Sequence, residues 1–123
     1  MTERVRVVRA GELRDAEGTA AMHRKVAFEA EGLWAGTVKT EAGVDSGWHH
    51  HGDNSSVIYV LRGRIRIDFG PGGEESVEAT AGDFISVPSR VVHRETTPGE
   101  EVDGVVFRTG SGPILFNVEA PEP

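Results

Sequence analysis

Cysteine is absent from the sequence, which excludes disulfide bonds and thiolate metal sites. No apolar run approaches the roughly 20 residues of a membrane span, and the first residues do not resemble a signal peptide. Basic residues are outnumbered: 13 Lys and Arg stand against 20 Asp and Glu, and the net charge of −7 argues against a nucleic-acid partner. We therefore expect a soluble, cytoplasmic protein that binds neither membranes nor nucleic acids.

Apolar residues are also scarce, at 37% of the 123 residues, whereas Gly (16) and Pro (6) are plentiful. A composition so rich in turn-forming residues is typical of many short strands rather than of long helices. A chain of this length is the size of one domain, so we predict a single domain over residues 1–123.

Alternating apolar and polar residues, separated by turn residues, predict about ten short strands and almost no helix. The clearest alternation lies at 64–69, where Ile65 and Ile67 would share the buried face. Within the N-terminal part, 1–32, the sequence RVRVVR at 4–9 predicts an edge strand, and 10–32 predicts an irregular segment with a short helical piece near 19–25. The pattern as a whole is typical of an all-β sandwich or barrel. The other predicted strands are 33–40, 49–51, 56–61, 76–79, 84–87, 91–95, 102–109 and 114–118.

Three of the five histidines are adjacent, at 49–51. On a strand, His49 and His51 share a face while His50 points away, and their Cα atoms lie roughly 6.5–7 Å apart. Both imidazoles can then reach one ion at about 2.0–2.2 Å, which positions i and i+2 of a helix do not allow. The alternative is that HHHGDNSS is a polar loop in solvent. His23, among charged neighbours, is expected to be exposed rather than to bind a metal.

A third candidate ligand, His93, follows Pro88 on a predicted strand. Three imidazoles on a β scaffold leave coordination positions open, which is typical of a catalytic rather than a structural metal.

Two patterns around these histidines match known motifs. The first contains Gly43, His49, His51 and Gly63, and the second contains Gly82, Pro88 and His93. In these residues and their spacing, over 43–97, the chain resembles the cupin superfamily. Three positions depart from the motifs of that family: Ser56 replaces Glu, Arg90 replaces Gly, and Thr97 replaces Asn.

The resemblance implies a double-stranded β-helix, a jelly-roll barrel, with a divalent metal near its mouth and frequent homodimers. It implies His49, His51 and His93 as the metal ligands, without the usual carboxylate. Three neutral imidazoles leave the full charge of the ion in place, which favours anionic or bidentate oxygen ligands. Because cupins with three histidines include dioxygenases, Fe²⁺ is the favoured metal, and Zn²⁺, Mn²⁺, Ni²⁺ and Cu²⁺ are alternatives.

We therefore expect a metal-dependent enzyme for a small organic substrate, a dioxygenase first and an isomerase, cyclase or lyase second. Glu95 shares a face with His93 and is the candidate acid or base, although it could also be a replacement ligand, a hydrogen-bond acceptor for an imidazole or a solvent-facing residue. Ser56 would orient a water or the substrate, and Arg108 is a candidate contact for an anionic substrate. The competing hypothesis is a non-catalytic small-molecule binding protein or sensor.

Overall fold

The computed structural model describes residues 4–17 and 21–123, which form eleven strands and two short 3-10 turns. Within these residues no helix has the length and apolar character needed to cross a membrane. The strands are β1 (Arg14–Ala16), β2 (Met22–Ala30), β3 (Leu33–Thr40), β4 (His49–His50), β5 (Ser55–Arg62), β6 (Arg64–Phe69), β7 (Glu75–Thr80), β8 (Phe84–Val87), β9 (His93–Thr96), β10 (Val102–Thr109) and β11 (Phe116–Asn117).

Two antiparallel sheets face each other. One has six strands in the order β1-β2-β3-β10-β5-β8, and the other has five in the order β11-β4-β9-β6-β7. Strands that follow each other in sequence are therefore often in opposite sheets, so the chain winds back and forth across the interior. This confirms the predicted all-β double-stranded β-helix.

The core lies between the inner faces of the two sheets. Ile65 and Ile67 of β6, exposed by only 6% and 4%, confirm the alternation read from 64–69. They pack with Val60 of β5, which is fully buried, and Ile58 joins this cluster to a second one around Val106. Each such side chain contributes about 1.5–3 kcal/mol by leaving water. The packed core holds the sheets at a fixed separation and so positions the residues at the barrel mouth.

Two N-terminal predictions are wrong. Residues 4–9 are not a strand. The segment 10–32 is not irregular with a short helix, because it contains strands β1 and β2, and β2 includes 22–25 of the predicted helix; residues 19–20 of that helix lie outside the described residues. The register of β2 against β3 shifts between Val26 and Phe28, so Ala27 has no partner. A bulge of this kind reverses the facing of the side chains beyond it, which hides the period of two in the sequence.

A polar cluster on the outer face braces the five-stranded sheet. Asp68 of β6 is only 3% exposed and accepts hydrogen bonds from Arg66 and Arg94. Burial raises the pKa of Asp68, but these hydrogen bonds outweigh it, and the pKa lies below its usual value. The Arg94 guanidinium also lies 4.9 Å from the centre of the Trp48 ring. These contacts connect β6 to β9, which carries His93, and to Trp48, the residue before β4, which carries His49.

Candidate metal centre

The three predicted histidines meet at one end of the barrel. His49 of β4 is paired directly with His93 of β9, and their ring centres are 4.3 Å apart. The ring of His51 lies 5.1 Å from each of them. One ligand nitrogen from each ring lies within 4.8 Å of the others. The structure thus brings together the residues that the sequence singled out.

Each imidazole is held in one orientation by a hydrogen bond from its Nδ1 atom to a backbone carbonyl. Because a carbonyl oxygen only accepts, Nδ1 carries the proton in each neutral ring, and Nε2 keeps its free lone pair. Such contacts fix both the tautomer and the direction of a metal ligand. The acceptors are Gly47 for His49 (3.0 Å), Ile114 for His51 (2.7 Å) and Val91 for His93 (2.9 Å).

The Nε2 atom of His93 tests whether the site fits a metal. It is buried and has no hydrogen-bond partner among the described residues. Leaving such an atom unpaired costs about 1–3 kcal/mol, and a metal ion among the three Nε2 atoms would remove that cost. Burial also lowers the pKa of His51 to about 4 and lowers the pKa of His93, so these two rings stay neutral, as ligation requires. The three imidazoles therefore fit a divalent first-row ion with coordination positions left open.

Glu95 lies beside this cluster. Its Oε2 atom is 4.0 Å from Nε2 of His49, and its side chain is only 12% exposed, so it is not a solvent-facing residue at the rim. The separation is too long for a hydrogen bond to His49 but leaves the carboxylate next to the position an ion would take.

Ser56 lies on the opposite wall, directly across from Arg108 in the pairing of β5 with β10. Its hydroxyl accepts a long hydrogen bond, 3.4 Å, from Nε of Arg108. Both residues are buried, with 4% and 7% exposure. The serine that replaces the motif glutamate therefore contacts an arginine inside the barrel.

Two arginines give this end of the barrel a cationic wall. Arg108 also lies over the ring of Trp34, at 5.4 Å, and Arg24 extends from β2. Burial lowers the pKa of both arginines, while the charge of Glu95 acts in the opposite direction. Arg24 and Arg108 line a cavity of about 30 Å³ together with His51, Ser56 and Glu95, and they also line a larger chamber of about 470 Å³. Arg24 could not be identified from the sequence, because the bulge at Ala27 interrupts the alternation of its strand.

The two other residues that depart from the motifs, Thr97 and Arg90, differ in their effect on the fold. Thr97, 1% exposed, donates a hydrogen bond to the carbonyl of Glu41 and accepts one from the amide of Val44, which fastens the loop before β4. Arg90 has φ of +64°, a conformation that favours the glycine it replaces. Gly63 keeps its motif role: at its φ of +94°, a Cβ would lie 2.4 Å from the carbonyl of Glu101.

A family model described as the cupin domain matches residues 36–108, more than half of the chain. The chain belongs to the cupin family. The match covers both histidine motifs and extends from β3 to β10, so it includes the strands that carry His49, His93 and Arg108. No curated protein matches this cupin in sequence.

Solved structures show the same fold. An uncharacterised conserved Klebsiella pneumoniae protein with a double-stranded β-helix domain aligns over 94% of this cupin and 99% of its own chain, with a TM-score of 0.71 and 17% identity. Oxalate decarboxylase from Bacillus subtilis, with Mn(II) centres, aligns over 88% of this cupin and 30% of its own chain, with a TM-score of 0.70 and 18% identity. The cupin domain of Schizosaccharomyces pombe Cnp3 aligns over 73% of this cupin and 65% of its own chain, with a TM-score of 0.66 and 17% identity. This cupin therefore spans about two thirds of the length of that chain.

Proposed function

We propose that this cupin is a metal-dependent enzyme that acts on a small anionic molecule able to chelate the metal through two oxygens. The observation that carries the proposal is a set of groups around the small cavity beside the histidines: three imidazoles, the buried Arg108, the half-buried Arg24 and one carboxylate, that of Glu95. Buried cationic groups without matching carboxylates are costly unless an anionic ligand neutralises them.

His49, His51 and His93 would hold the ion through their Nε2 atoms. When bound there, a divalent ion supplies a Lewis acid, and iron(II) would add redox chemistry with dioxygen. Cupin relatives include the Mn(II)-containing oxalate decarboxylase, whose name identifies a small dianion with chelating oxygens as its substrate. We propose a dioxygenase first and an isomerase, cyclase or lyase second, with Fe²⁺ as the favoured ion.

The arginines would bind the carboxylate of the substrate. Among the described residues Arg108 donates a side-chain hydrogen bond only through Nε, to Ser56, so its two Nη nitrogens could form paired hydrogen bonds with an anion. Trp34 lies against the same guanidinium and restricts its rotation. Ser56 in this proposal is a positioning residue for Arg108 rather than a metal ligand.

Glu95 would move the proton. Its carboxylate lies 4.0 Å from Nε2 of His49 and lines the same small cavity as Arg24 and Arg108, and with 12% exposure it is largely shielded from water. A substrate that contacts both the ion and Arg108 would place its acidic C–H or O–H within reach of Glu95. The carboxylate would accept that proton and return it to the product.

The test uses protein purified without a histidine tag and loaded in turn with Fe²⁺, Mn²⁺ and Zn²⁺. Oxygen uptake is measured with oxalate, 2-oxo acids and 1,3-diketones, and anaerobic NMR follows decarboxylation and isomerisation of the same compounds. We expect turnover that is lost in His93→Leu and retained in His23→Ala. If the protein as purified contains only zinc, and no metal-loaded form consumes oxygen with any of these compounds, the dioxygenase is ruled out.

The alternative is a non-catalytic binding protein or sensor, supported by the chamber of about 470 Å³ that adjoins the arginines. A binding protein or sensor would bind a ligand without converting it, and a His49→Ala, His51→Ala double variant would keep the affinity for that ligand. The cytoplasmic location and the homodimer also stay predictions.

A further inference from the structure

Of the three clustered histidines, His51 receives the least support from the sheets. His49 and His93 are paired with each other in β4 and β9 and are only 4% and 1% exposed. His51 follows β4, which ends at His50, and it is half-buried. Among the described residues, the ring of His51 makes one hydrogen bond, from Nδ1 to the carbonyl of Ile114 at 2.7 Å. The orientation of this imidazole therefore depends on a residue 63 positions further along the chain.

Ile114 belongs to the connection between β10 and β11, residues 110–115, which we call the strap. All six residues of the strap are exposed, Ile114 and Leu115 by 45% and 46%. The strap is not a strand, and β11 at its far end pairs with only two residues of β4. A segment that buries none of its own side chains is held mainly by hydrogen bonds of its backbone. The partners of those backbone groups therefore decide where the carbonyl of Ile114 lies.

Asn54 connects the strap to His51. Its side chain is buried, with 4% exposure, and its Nδ2 atom donates to the carbonyls of Ser111 (3.2 Å) and Pro113 (3.3 Å) in the strap. The same Nδ2 atom donates to the carbonyl of His51 at 3.0 Å, and the backbone amide of Asn54 donates to that carbonyl at 3.2 Å. Because every partner of Nδ2 is a carbonyl oxygen, the side chain must present its donor group here. One buried amide thus holds both the backbone of His51 and the segment that orients its ring.

Two glycines allow the strap to approach Asn54 closely. At Gly110, where φ is +135°, a Cβ would lie 2.6 Å from the carbonyl of Asp53. At Gly52, where φ is +61°, a Cβ would lie 2.7 Å from the ring of Phe116, just beyond the strap. A side chain at either position would push the strap or its continuation away from the turn that contains Asn54. The contact between the strap and this turn is therefore close and specific.

We propose that Asn54 is the positioning residue of the metal ligand His51 and that it acts through the strap. The inference rests on the proposed metal centre. By fixing the carbonyl of Ile114, Asn54 keeps the proton of His51 on Nδ1 and leaves Nε2 free to bind the ion together with the other two imidazoles. The strap also lines the chamber of about 470 Å³, so the segment that orients His51 is at the same time a wall of the proposed substrate site.

The first test needs no metal: the ¹⁵N chemical shifts of the histidine rings, measured by NMR at about pH 8, where the imidazoles are neutral, give the tautomer of each ring. We expect Nδ1–H in all three rings of the wild type and in Ser111→Ala, which keeps the backbone carbonyl that accepts from Asn54. In Asn54→Ala, or in Asn54→Ser if the alanine variant does not fold, we expect His51 to become a mixture of both tautomers while His49 and His93 stay unchanged. A His51 ring that remains Nδ1–H, or an equal change in all three rings, overturns the proposal.

The second test is calorimetric titration of the metal-free protein with Zn²⁺. We expect Asn54→Ala to bind Zn²⁺ about 10- to 100-fold more weakly than the wild type, and Ser111→Ala to bind it equally well. In a His51→Gln background, Asn54→Ala should cause no further loss, because its effect passes through His51. An equal loss in both backgrounds, or an unchanged affinity in Asn54→Ala, overturns the role of Asn54 alone. If instead His93→Leu binds Zn²⁺ as tightly as the wild type, the proposed metal centre is wrong, and the tautomer of His51 still tests the action of Asn54 on that ring.

Discussion

Metal-dependent stability should separate His93 from the histidines outside the cluster. The variant His93→Leu replaces a buried ring, 1% exposed, with an apolar side chain that has no donor atom. His23→Ala is the matched control, because His23 is exposed and bonds only to Glu41 at 2.9 Å among the described residues. Both variants and the wild type are stripped of metal and melted with and without an added divalent ion.

The magnitude follows from mass action. An ion present at about 100 times its dissociation constant stabilises the folded chain by about 2.7 kcal/mol, provided that it does not bind the unfolded chain. For a domain of 123 residues, this corresponds to a rise in Tm of roughly 10 °C. Without His93 only two of the three imidazoles remain, so the same ion concentration should give little or no rise.

Differential scanning calorimetry measures these shifts directly. We expect a metal-induced rise of similar size in the wild type and in His23→Ala, and almost none in His93→Leu. Equal rises in all three proteins would refute the reasoning, because the ion would then bind without His93. A metal-free His93→Leu that is as stable as the metal-free wild type would show that the loss is one of binding rather than of folding.

The remaining predictions concern the anion site, the strained arginine and the buried imidazole. Arg108→Gln should weaken oxalate binding to the metal-loaded protein by roughly tenfold or more in calorimetric titration, because a buried charged donor is lost. Arg66→Gln, on the outer face, should leave the affinity unchanged. Equal affinities in the wild type and Arg108→Gln would show that Arg108 does not bind the anion. Arg90→Gly should raise the free energy of unfolding, measured in urea, by about 1 kcal/mol, because glycine adopts the positive φ without strain and only an exposed ion pair with Asp53 is lost. Arg90→Ala should give no such increase. A decrease in both variants would mean that the ion pair contributes more than the strain costs. In the metal-free protein, burial lowers the pKa of His51 to about 4 from 6.5. The folded chain should therefore keep its full free energy of unfolding above pH 6.5 and lose part of it as the pH falls toward 4, because the unfolded chain binds a proton at His51 that the folded chain does not. Urea denaturation should show this decline, and a decline of the same size in His51→Gln would mean that other groups cause it.

The sequence predicted the histidine cluster because strand parity is a local rule. His49 and His51 share a face whenever their segment is extended, and the spacing of the second motif supplied His93. Strands 33–40 and 102–109 have the predicted bounds for the same reason, since their alternation is uninterrupted.

What the sequence did not predict depends on register between distant strands. The contact of Ser56 with Arg108 arises from the pairing of β5 with β10, which no local pattern specifies. Arg24 was missed because the bulge at Ala27 breaks the alternation around it. Asp68 alternates with Ile67 and so falls on the polar face of 64–69, but it is only 3% exposed because Arg94 of the neighbouring strand covers it.

The most direct test of the account is anomalous diffraction at the Fe, Mn and Zn absorption edges from crystals of the protein purified without a tag. We predict one ion per chain, bound at about 2.0–2.2 Å by the Nε2 atoms of His49, His51 and His93. An ion bound elsewhere, or a metal-saturated crystal in which Nε2 of His93 has no ion beside it, would contradict it.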